Sequence, residues 1–287
     1  MPFVPTRDAL RLHYEEAGRG TPILFLHEFG GDHRSWEAQM RYFSRRHRCI
    51  AYAARGFAPS DVPEAAQAYD YRRFTDDAID VLDGLGIGRA HIVGLSMGGY
   101  TALQVGLAHP DRALSLTLAG TGSGSERERR EEFRKGIEAT ARLFETMGAE
   151  HVARTVGGGP GRVPLAVKDP RGYAEFVAQF AGHDARGAAQ VMRNFQGGRP
   201  SIYDFEERIR AVALPTLVVC GDEDDACIAP SLFLKRCIAA SGLAMFPKTG
   251  HGVNLEEPDL FNRTVADFIA LAEAGRWGPR DPRSVRP

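Results

Sequence analysis

Short apolar runs alternate along the chain with longer segments whose apolar residues recur every three or four positions. The short runs are typical of buried strands and the longer segments of amphipathic helices. The continuous apolar runs cover residues 23–26, 49–52, 90–93, 114–118, 216–220 and 243–246, and a looser alternation over residues 10–17 predicts an edge strand. Strands without a polar face, separated by helices, predict an α/β fold with a mostly parallel central sheet flanked by helices.

The clearest helical pattern begins at Asp70, and Gly84 and Gly86 are expected to end it. One face of this segment carries the apolar residues Tyr71, Phe74, Ala78, Val81, Leu82 and Leu85. The other face carries aspartates, so the helix should pack on the sheet through its apolar side. Further helices are predicted from a cap at Ser35, from near Pro230 and from Pro258.

The middle of the chain differs from both ends because it has helical spacing and no strand-like run of comparable quality. We therefore interpret residues 123–200 as a helical cap inserted into an α/β core formed by residues 1–122 and 201–273. The expected position of the cap is over the carboxyl ends of the strands, where loops with active groups gather. Residues 274–287 are rich in arginine, proline and glycine, and we predict a disordered tail there.

Composition and charge exclude several classes of protein. The 287 residues are 43% hydrophobic, which is enough for a large core, and the net charge of −1 does not favour nucleic acid or an anionic membrane as partner. No segment approaches the roughly 20 apolar residues of a membrane helix, and the start has no apolar leader. The four cysteines lack C-x-x-C spacing, so we expect a reduced, cytoplasmic protein that acts on a small molecule. A homo-oligomer is compatible with the sequence.

A serine lies at the junction between the strand at residues 90–93 and a helical pattern that starts near Tyr100. The junction reads Gly94-Leu95-Ser96-Met97-Gly98. A tight strand-to-helix turn of this kind holds the serine hydroxyl above the sheet edge, and its glycines occupy places where a side chain would collide with neighbouring backbone. We interpret Ser96 as a candidate nucleophile.

A serine hydroxyl at neutral pH needs a base to take its proton, and the base needs an acid to orient it. His251 lies between the last predicted strand and the last predicted helix. A group of acidic residues, Asp222 to Asp225, directly follows the strand at residues 216–220. The carboxyl ends of parallel strands share one sheet edge, so this chain order of serine, acid and histidine predicts a catalytic triad.

These motifs, together with Arg55-Gly56 and Gly250-His251, resemble those of the α/β-hydrolase fold superfamily, and the resemblance runs from about Leu12 to Phe268. It implies an α/β-hydrolase fold with an inserted helical cap and a reaction without metal or cofactor. The Gly221-x-x-Asp224 spacing points to Asp224 as the acid. The resemblance also implies an oxyanion hole formed by the backbone N–H groups of Phe29 and Met97.

The loop after the first predicted strand departs from the family pattern. Most relatives have His-Gly where this chain has His27-Glu28. We consider two roles for Glu28: a surface or ion-paired residue, with Arg34 or Arg55 as the partner, or a contribution to substrate selection. A metal site at His27, Glu28, Asp32 and His33 is disfavoured because these residues follow a strand and do not have the helical spacing of H-E-x-x-H.

The leading hypothesis is a serine hydrolase that cleaves a carboxylic ester or a lactone. An alternative is hydrolysis of a carbon–carbon bond in a diketone-like ring-cleavage product, since those enzymes share the cap and the order of the triad. A second alternative is a ligand-binding protein that keeps the scaffold without turnover. Epoxide hydrolase and haloalkane dehalogenase activities are disfavoured because related enzymes have an aspartate in the place of Ser96.

Overall fold

The computed structural model describes residues 2–284 and contains one eight-stranded sheet in the order β1-β2-β4-β3-β5-β6-β7-β8. The strands are β1 (Phe3–Pro5), β2 (Arg11–Ala17), β3 (Pro22–Leu26), β4 (Arg48–Tyr52), β5 (Ala90–Leu95), β6 (Ala113–Ala119), β7 (Thr216–Gly221) and β8 (Ser241–Phe246). The pairs β1–β2 and β2–β4 are antiparallel, and the other pairs are parallel. The predicted mostly parallel sheet is confirmed.

Helices cover both faces of the sheet, as the alternation of patterns predicts. They are α1 (Glu37–Phe43), α2 (Tyr71–Gly84), α3 (Met97–Ala108), α4 (Arg130–Thr155), α5 (Val163–Lys168), α6 (Pro170–Ala181), α7 (Ala185–Gln190), α8 (Glu206–Arg210), α9 (Asp225–Cys237), α10 (Val253–Glu256) and α11 (Pro258–Glu273). One core contains Phe74 of α2, Leu103 of α3 and Leu234 of α9, and the other contains Phe43 of α1 and Phe268 of α11. Their apolar stripes account for the positions of these helices.

Residues 123–200, which we call the helical segment, contain α4 to α7 and a π-helix at Val191–Gln196. Their side chains form a third apolar cluster around Phe144 and Phe180. Phe29, in the loop after β3, packs edge-on against both rings, with centroid separations of 5.8 and 5.9 Å. The helical segment therefore contacts the loop at the carboxyl end of a central strand, where the active groups of such sheets gather.

Two helix starts differ from the predicted ones. The helix expected near Pro230 begins at Asp225, because the Asp224 carbonyl already accepts the Cys227 N–H at 2.8 Å in its first turn. The cap expected at Ser35 is Asp32 instead: its carboxylate accepts the Arg34 N–H at 2.8 Å and caps a short 3₁₀ helix, His33–Trp36, that leads into α1. Aspartate and serine are both good caps, and here Ser35 supports the turn by accepting the Asp32 N–H.

The prediction of a disordered tail over residues 274–287 is wrong for its first part. The ring of Trp277 packs edge-on against Phe268 with centroids 4.7 Å apart, and its indole N–H donates to the Ala240 carbonyl at 3.1 Å. A tryptophan that partly buries its ring and satisfies its N–H offsets some of the entropy of an ordered segment, which composition alone does not reveal. Residues 285–287 lie outside the described residues.

Candidate active site

Ser96 lies at the turn between β5 and α3 with φ 55° and ψ −110°, in a region that side-chain-bearing residues rarely adopt. Its backbone N–H donates to the Ala119 carbonyl at 2.8 Å, which ties the turn to β6. A Cβ at Gly94 would lie 2.1 Å from the Gly98 carbonyl oxygen, and one at Gly98 would lie 2.0 Å from that of Leu26. Both glycines are thus required by close backbone approach, as the sequence predicts.

His251 and Asp224 meet at the same sheet edge. Asp224 follows β7, and His251 lies between β8 and α10. The His251 Nδ1 is 2.7 Å from Asp224 Oδ2, and the two side chains are 17% and 4% exposed. Burial opposes the charge on Asp224, but His251, the Cys227 thiol and Arg162 outweigh it and hold the pKa of the carboxyl below its usual range.

This pairing distinguishes Asp224 from the neighbouring acids. Asp222 accepts the Thr249 N–H at 3.2 Å, and Asp225 is exposed at the first position of α9. Because an ionised carboxylate only accepts hydrogen bonds, the bond to Asp224 places the proton of a neutral His251 on Nδ1. Its Nε2 is then free to accept a proton from a hydroxyl group.

A cysteine that sequence reasoning did not single out lies beside the pair. The Cys227 sulfur is 3.9 Å from His251 Nδ1 and donates to the Gly120 carbonyl at 3.2 Å. Burial raises the pKa of this thiol well above its ordinary value, so it stays protonated. All four cysteines are free, and Cys227 fills space behind the histidine as an uncharged group.

The loop after β3 is held by His27, which is buried and bonded through both ring nitrogens. Its Nδ1–H donates to the Glu28 carbonyl at 2.6 Å, and its Nε2 accepts the Ala54 N–H at 3.0 Å. Burial lowers the pKa of His27 to about 4, which keeps the ring neutral. The backbone N–H groups of Phe29 and Met97 donate no hydrogen bond to any atom within residues 2–284, and they are thus available to a ligand.

Glu28 forms an ion pair, but not with either arginine that the sequence suggested. Its carboxylate contacts the guanidinium of Arg162, from the helical segment, and both side chains are buried. Arg34 pairs instead with Asp32 at 2.6 Å, and Arg55 donates to Asp77 at 2.7 Å. The expectation of a partner close in sequence is wrong because the helical segment folds back onto this loop.

The second half of the pair is itself tied to the candidate triad. The guanidinium of Arg162 stacks on the Phe176 ring, 4.7 Å from its centroid, and burial lowers the pKa of Arg162 to about 10. The carbonyl of the preceding residue, Gly161, accepts the His251 backbone N–H at 2.8 Å. The Glu28–Arg162 pair therefore fixes the position of a loop that contacts His251.

These groups surround one cavity of about 350 Å³, at the small end of the roughly 300–1,000 Å³ of typical ligand sites. The sheet side contributes Ser96, Asp224, His251, Glu28 and Phe29. The helical segment contributes Ser123, Phe133, Ile137, Val156, Pro160, Arg162, Phe176, Phe180, Met192, Gln196 and Arg199. Neither Arg162 nor Arg199 carries a sequence signal that could have identified it, since each is one arginine among many in a segment without a motif.

Three of the four residues weighed as a metal site are committed to other partners: His27 and Glu28 as described, and Asp32 to Arg34. The fourth, His33, lies apart from the Ser96 cavity. Two other groups within residues 2–284 have the geometry to hold an ion. One is Asp224 with Cys227 and His251, and the other is His13 with Glu15 and His33. The second group lines a separate groove that shares no residue with the Ser96 cavity.

An eight-stranded, mostly parallel sheet with a serine turn after β5 and an acid and a histidine after β7 and β8 defines the architecture of an α/β hydrolase. A family model described as "alpha/beta hydrolase fold" matches residues 21–258, and the chain belongs to this family. The predicted family and fold are confirmed.

Several relatives of known name are hydrolases. The chain is 26% identical over 248 residues to 3-oxoadipate enol-lactonase 1 of Acinetobacter baylyi, covering 86% of this chain and 88% of that protein. It is 28% identical over 270 residues to 2-hydroxy-6-oxo-6-phenylhexa-2,4-dienoate hydrolase of Comamonas testosteroni, covering 90% and 91%. The solved enol-lactonase of Burkholderia xenovorans LB400 superposes with a TM-score of 0.82 at 26% identity, covering 94% and 100%. These likenesses support a hydrolase.

Across residues 2–284, every helix falls short of the length and apolar character that crossing a membrane requires.

Proposed function

We propose that the protein is a serine hydrolase that cleaves a carboxylic ester or a lactone of small size. The observation that carries this proposal is the 2.7 Å contact between His251 and Asp224 on the wall of the cavity that also contains Ser96. A base oriented by a buried carboxylate, in the same cavity as a serine on a strained turn, is the arrangement expected to make a hydroxyl nucleophilic.

In the proposed first half-reaction, Ser96 Oγ attacks the carbonyl carbon of the substrate while His251 Nε2 takes the hydroxyl proton. The negative charge that develops on the carbonyl oxygen is stabilised by the free N–H groups of Phe29 and Met97. The carbon–oxygen bond to the leaving group then breaks, and the imidazolium returns its proton to that oxygen. Asp224 stabilises the imidazolium and keeps the ring in the required tautomer.

In the second half-reaction, a water molecule gives a proton to His251 and attacks the acyl carbon. The bond between that carbon and Ser96 Oγ breaks, the serine regains the proton, and a carboxylic acid is released. With a lactone, the leaving oxygen stays in the same molecule and the product is a hydroxy acid or its keto form. None of these steps calls for a metal ion or a cofactor.

Esters and lactones are placed first because the cavity is small and largely apolar and because two of the relatives are enol-lactonases. Carbon–carbon bond hydrolysis is the second candidate. It is favoured by the 28% identity to the dienoate hydrolase of Comamonas testosteroni, which is slightly higher than the 26% identity to each enol-lactonase. In either reaction, Ser96 acts as the nucleophile or activates a water molecule that does. The two reactions can therefore be distinguished only by which substrate is turned over.

Labelling with a fluorophosphonate tests the nucleophile. We expect a stoichiometric adduct on Ser96 in the folded protein, located by peptide mass spectrometry, and none in Ser96→Ala. Failure to label folded protein would remove the serine-hydrolase proposal and leave a ligand-binding protein on this scaffold. A panel of p-nitrophenyl esters and aliphatic lactones, compared with a 2-hydroxy-6-oxo-dienoate, then separates the two reactions, and turnover of the dienoate alone would overturn the ester assignment.

A further inference from the structure

Arg199 is a cation on the wall of the Ser96 cavity. It follows the π-helix at Val191–Gln196, and the residue is only 4% exposed. Its guanidinium lies against two aromatic rings, 4.7 Å from the centroid of Tyr100 and 5.5 Å from that of Phe195. Stacking on two rings fixes the plane of the group and leaves its edge for hydrogen bonding.

The hydrogen-bonding capacity of this guanidinium is only partly used. Nη2 donates to the Ser123 carbonyl at 3.0 Å, whereas Nη1 is buried and has no acceptor among residues 2–284. No carboxylate within that range lies within 4.0 Å of it. A buried charged donor without a partner is costly, and a site that pays this cost in the free protein is prepared for an acceptor that comes with the ligand.

The charges around the cavity leave Arg199 without a counter-ion. Glu28 is held by Arg162, and Asp224 by His251. The neighbouring Arg130 donates to the Arg199 carbonyl and adds further positive charge to this part of the wall. Burial lowers the pKa of Arg199 to about 10, so the group is still protonated at neutral pH.

We propose that Arg199 binds a carboxylate of the substrate, so that the substrate class is an ester or lactone whose scissile carbonyl and free carboxylate lie on the same small molecule. This inference rests on the proposed hydrolase function and specifies its substrate. A single guanidinium whose buried Nη1 has no acceptor among residues 2–284, lying among aromatic rings, suits a monoanionic carboxylate better than a dianionic phosphate.

The anion site is fixed relative to the nucleophile by one helix. The Tyr100 N–H donates to the Ser96 carbonyl at 2.8 Å, so the ring under Arg199 belongs to the first turn of α3. One turn of helix advances about 5.4 Å. A carboxylate on Arg199 would therefore orient the remainder of a short substrate within the cavity that contains Ser96.

The test is the binding of paired probes to Ser96→Ala, which cannot turn them over. The probes are monomethyl succinate, glutarate and adipate, each compared by isothermal titration calorimetry with the amide that replaces its free carboxylate. The amide has the same shape without the charge. We expect at least one acid to bind about tenfold or more tightly than its amide, since a hydrogen bond to a charged group contributes roughly 1.5–3 kcal/mol.

Substitutions in the same background assign the preference to Arg199. Ser96→Ala with Arg199→Gln should bind acid and amide equally, and Arg199→Lys should retain part of the preference because it keeps the charge but loses the planar fork. Arg186→Gln is the matched control, since it removes an arginine of the same segment that is exposed and pairs with Glu64. That variant should keep the full preference.

The proposal is overturned if no acid binds Ser96→Ala more tightly than its amide, or if folded Arg199→Gln keeps the preference. The first comparison needs no substitution at Arg199, so a variant that fails to fold does not remove the test. Failure of the hydrolase function would appear separately, as absence of a fluorophosphonate adduct on Ser96, while the probe pairs would still report on the anion site.

Discussion

The two walls of the cavity differ in how their polar groups are used. On the sheet side, Asp224 and His251 are paired with each other, and both ring nitrogens of His27 form hydrogen bonds with backbone groups. On the side of the helical segment, most lining residues are apolar, and Arg199 has an unused buried donor. These polar groups of the sheet side already have partners within the protein. The free donor of the helical segment is left for a group of the substrate. The Glu28–Arg162 pair joins the two walls.

The largest effect on this comparison is expected from Asp224→Asn. An asparagine can donate to His251 Nδ1, which would move the ring proton to Nε2 and leave no base for Ser96. We expect kcat to fall by roughly 10⁴-fold with the fold intact, as for the corresponding change in other triads. The measurement is steady-state hydrolysis of the best ester from the panel, with circular dichroism to verify folding.

Asp225→Asn is the matched control because it makes the same substitution at the neighbouring, exposed position. It should change kcat by less than about threefold, as expected for a substitution on the surface. If the two variants lost activity equally, Asp224 would not be the orienting acid and the sheet side would lack the assigned role.

The second prediction concerns backbone packing, which constrains the sheet side more tightly. Gly98→Ala should destabilise the protein by about 3 kcal/mol or more, because the new methyl group would lie 2.0 Å from the Leu26 carbonyl oxygen. Gly136→Ala, in α4 of the helical segment, meets nothing within 4 Å and should stabilise by up to about 1 kcal/mol through helix propensity. Urea denaturation measures the unfolding free energy of both variants. Equal changes would show that backbone packing does not differ between the sheet side and the helical segment.

The third prediction tests the connection between the walls. Glu28→Gln leaves the Arg162 charge buried without a full partner, so we expect a loss of about 3 kcal/mol in the free energy of unfolding. Activity should also fall, because Gly161, next to Arg162, bonds the His251 backbone. The double variant with Arg162→Met should recover most of the stability, since replacing both charges removes the penalty.

An ion pair on the surface provides the reference for these stability measurements. Arg186 and Glu64 are separated by 3.0 Å but are largely exposed, so removing either should cost about 0–1 kcal/mol. A Glu28→Gln variant as stable as Arg186→Gln would show that the buried pair contributes no more than a solvated one.

The sheet side could be predicted closely from the sequence. Ser96, Asp224 and His251 each follow a continuous apolar run, and parallel strands that end in such residues must bring them to one edge. The glycines of the turn carry their own signal because only they tolerate the close backbone approach. The sheet order itself required the structure, since strand spacing does not specify neighbours.

The helical segment could be predicted as helical but not as a set of contacts. Arg162 reaches Glu28 across 134 positions, and no period in the sequence sets the direction in which a helix packs. The same holds for Trp277, whose docking depends on the shape of a surface that distant residues form. The pattern of polar and apolar positions indicates which face of a helix is buried. Ion pairs and donors without an acceptor depend on the angle at which whole helices pack.

The smallest effect is expected from the pH dependence of stability, where the two walls can be compared through one residue type. His183 of the helical segment lies against Phe57 and Phe180, and neither ring nitrogen has a partner among residues 2–284. Burial lowers its pKa to about 4. Below the ordinary histidine pKa of about 6.5 the unfolded chain therefore binds a proton that the folded chain does not, and stability is lost as pH falls from about 6.5 toward 4.

At pH 5 this loss amounts to at most about 2 kcal/mol for one histidine, at 1.36 kcal/mol per pH unit. His183→Leu should remove it, so the difference in unfolding free energy between pH 7.5 and pH 5 should shrink by about 1–2 kcal/mol relative to the parent. His27→Leu, whose pKa is lowered to the same value, should instead destabilise at both pH values because the Ala54 N–H and Glu28 carbonyl lose their partner. An unchanged pH dependence in His183→Leu would mean that the ring is solvated, and that the helical segment opens more readily than its packing against the sheet side implies.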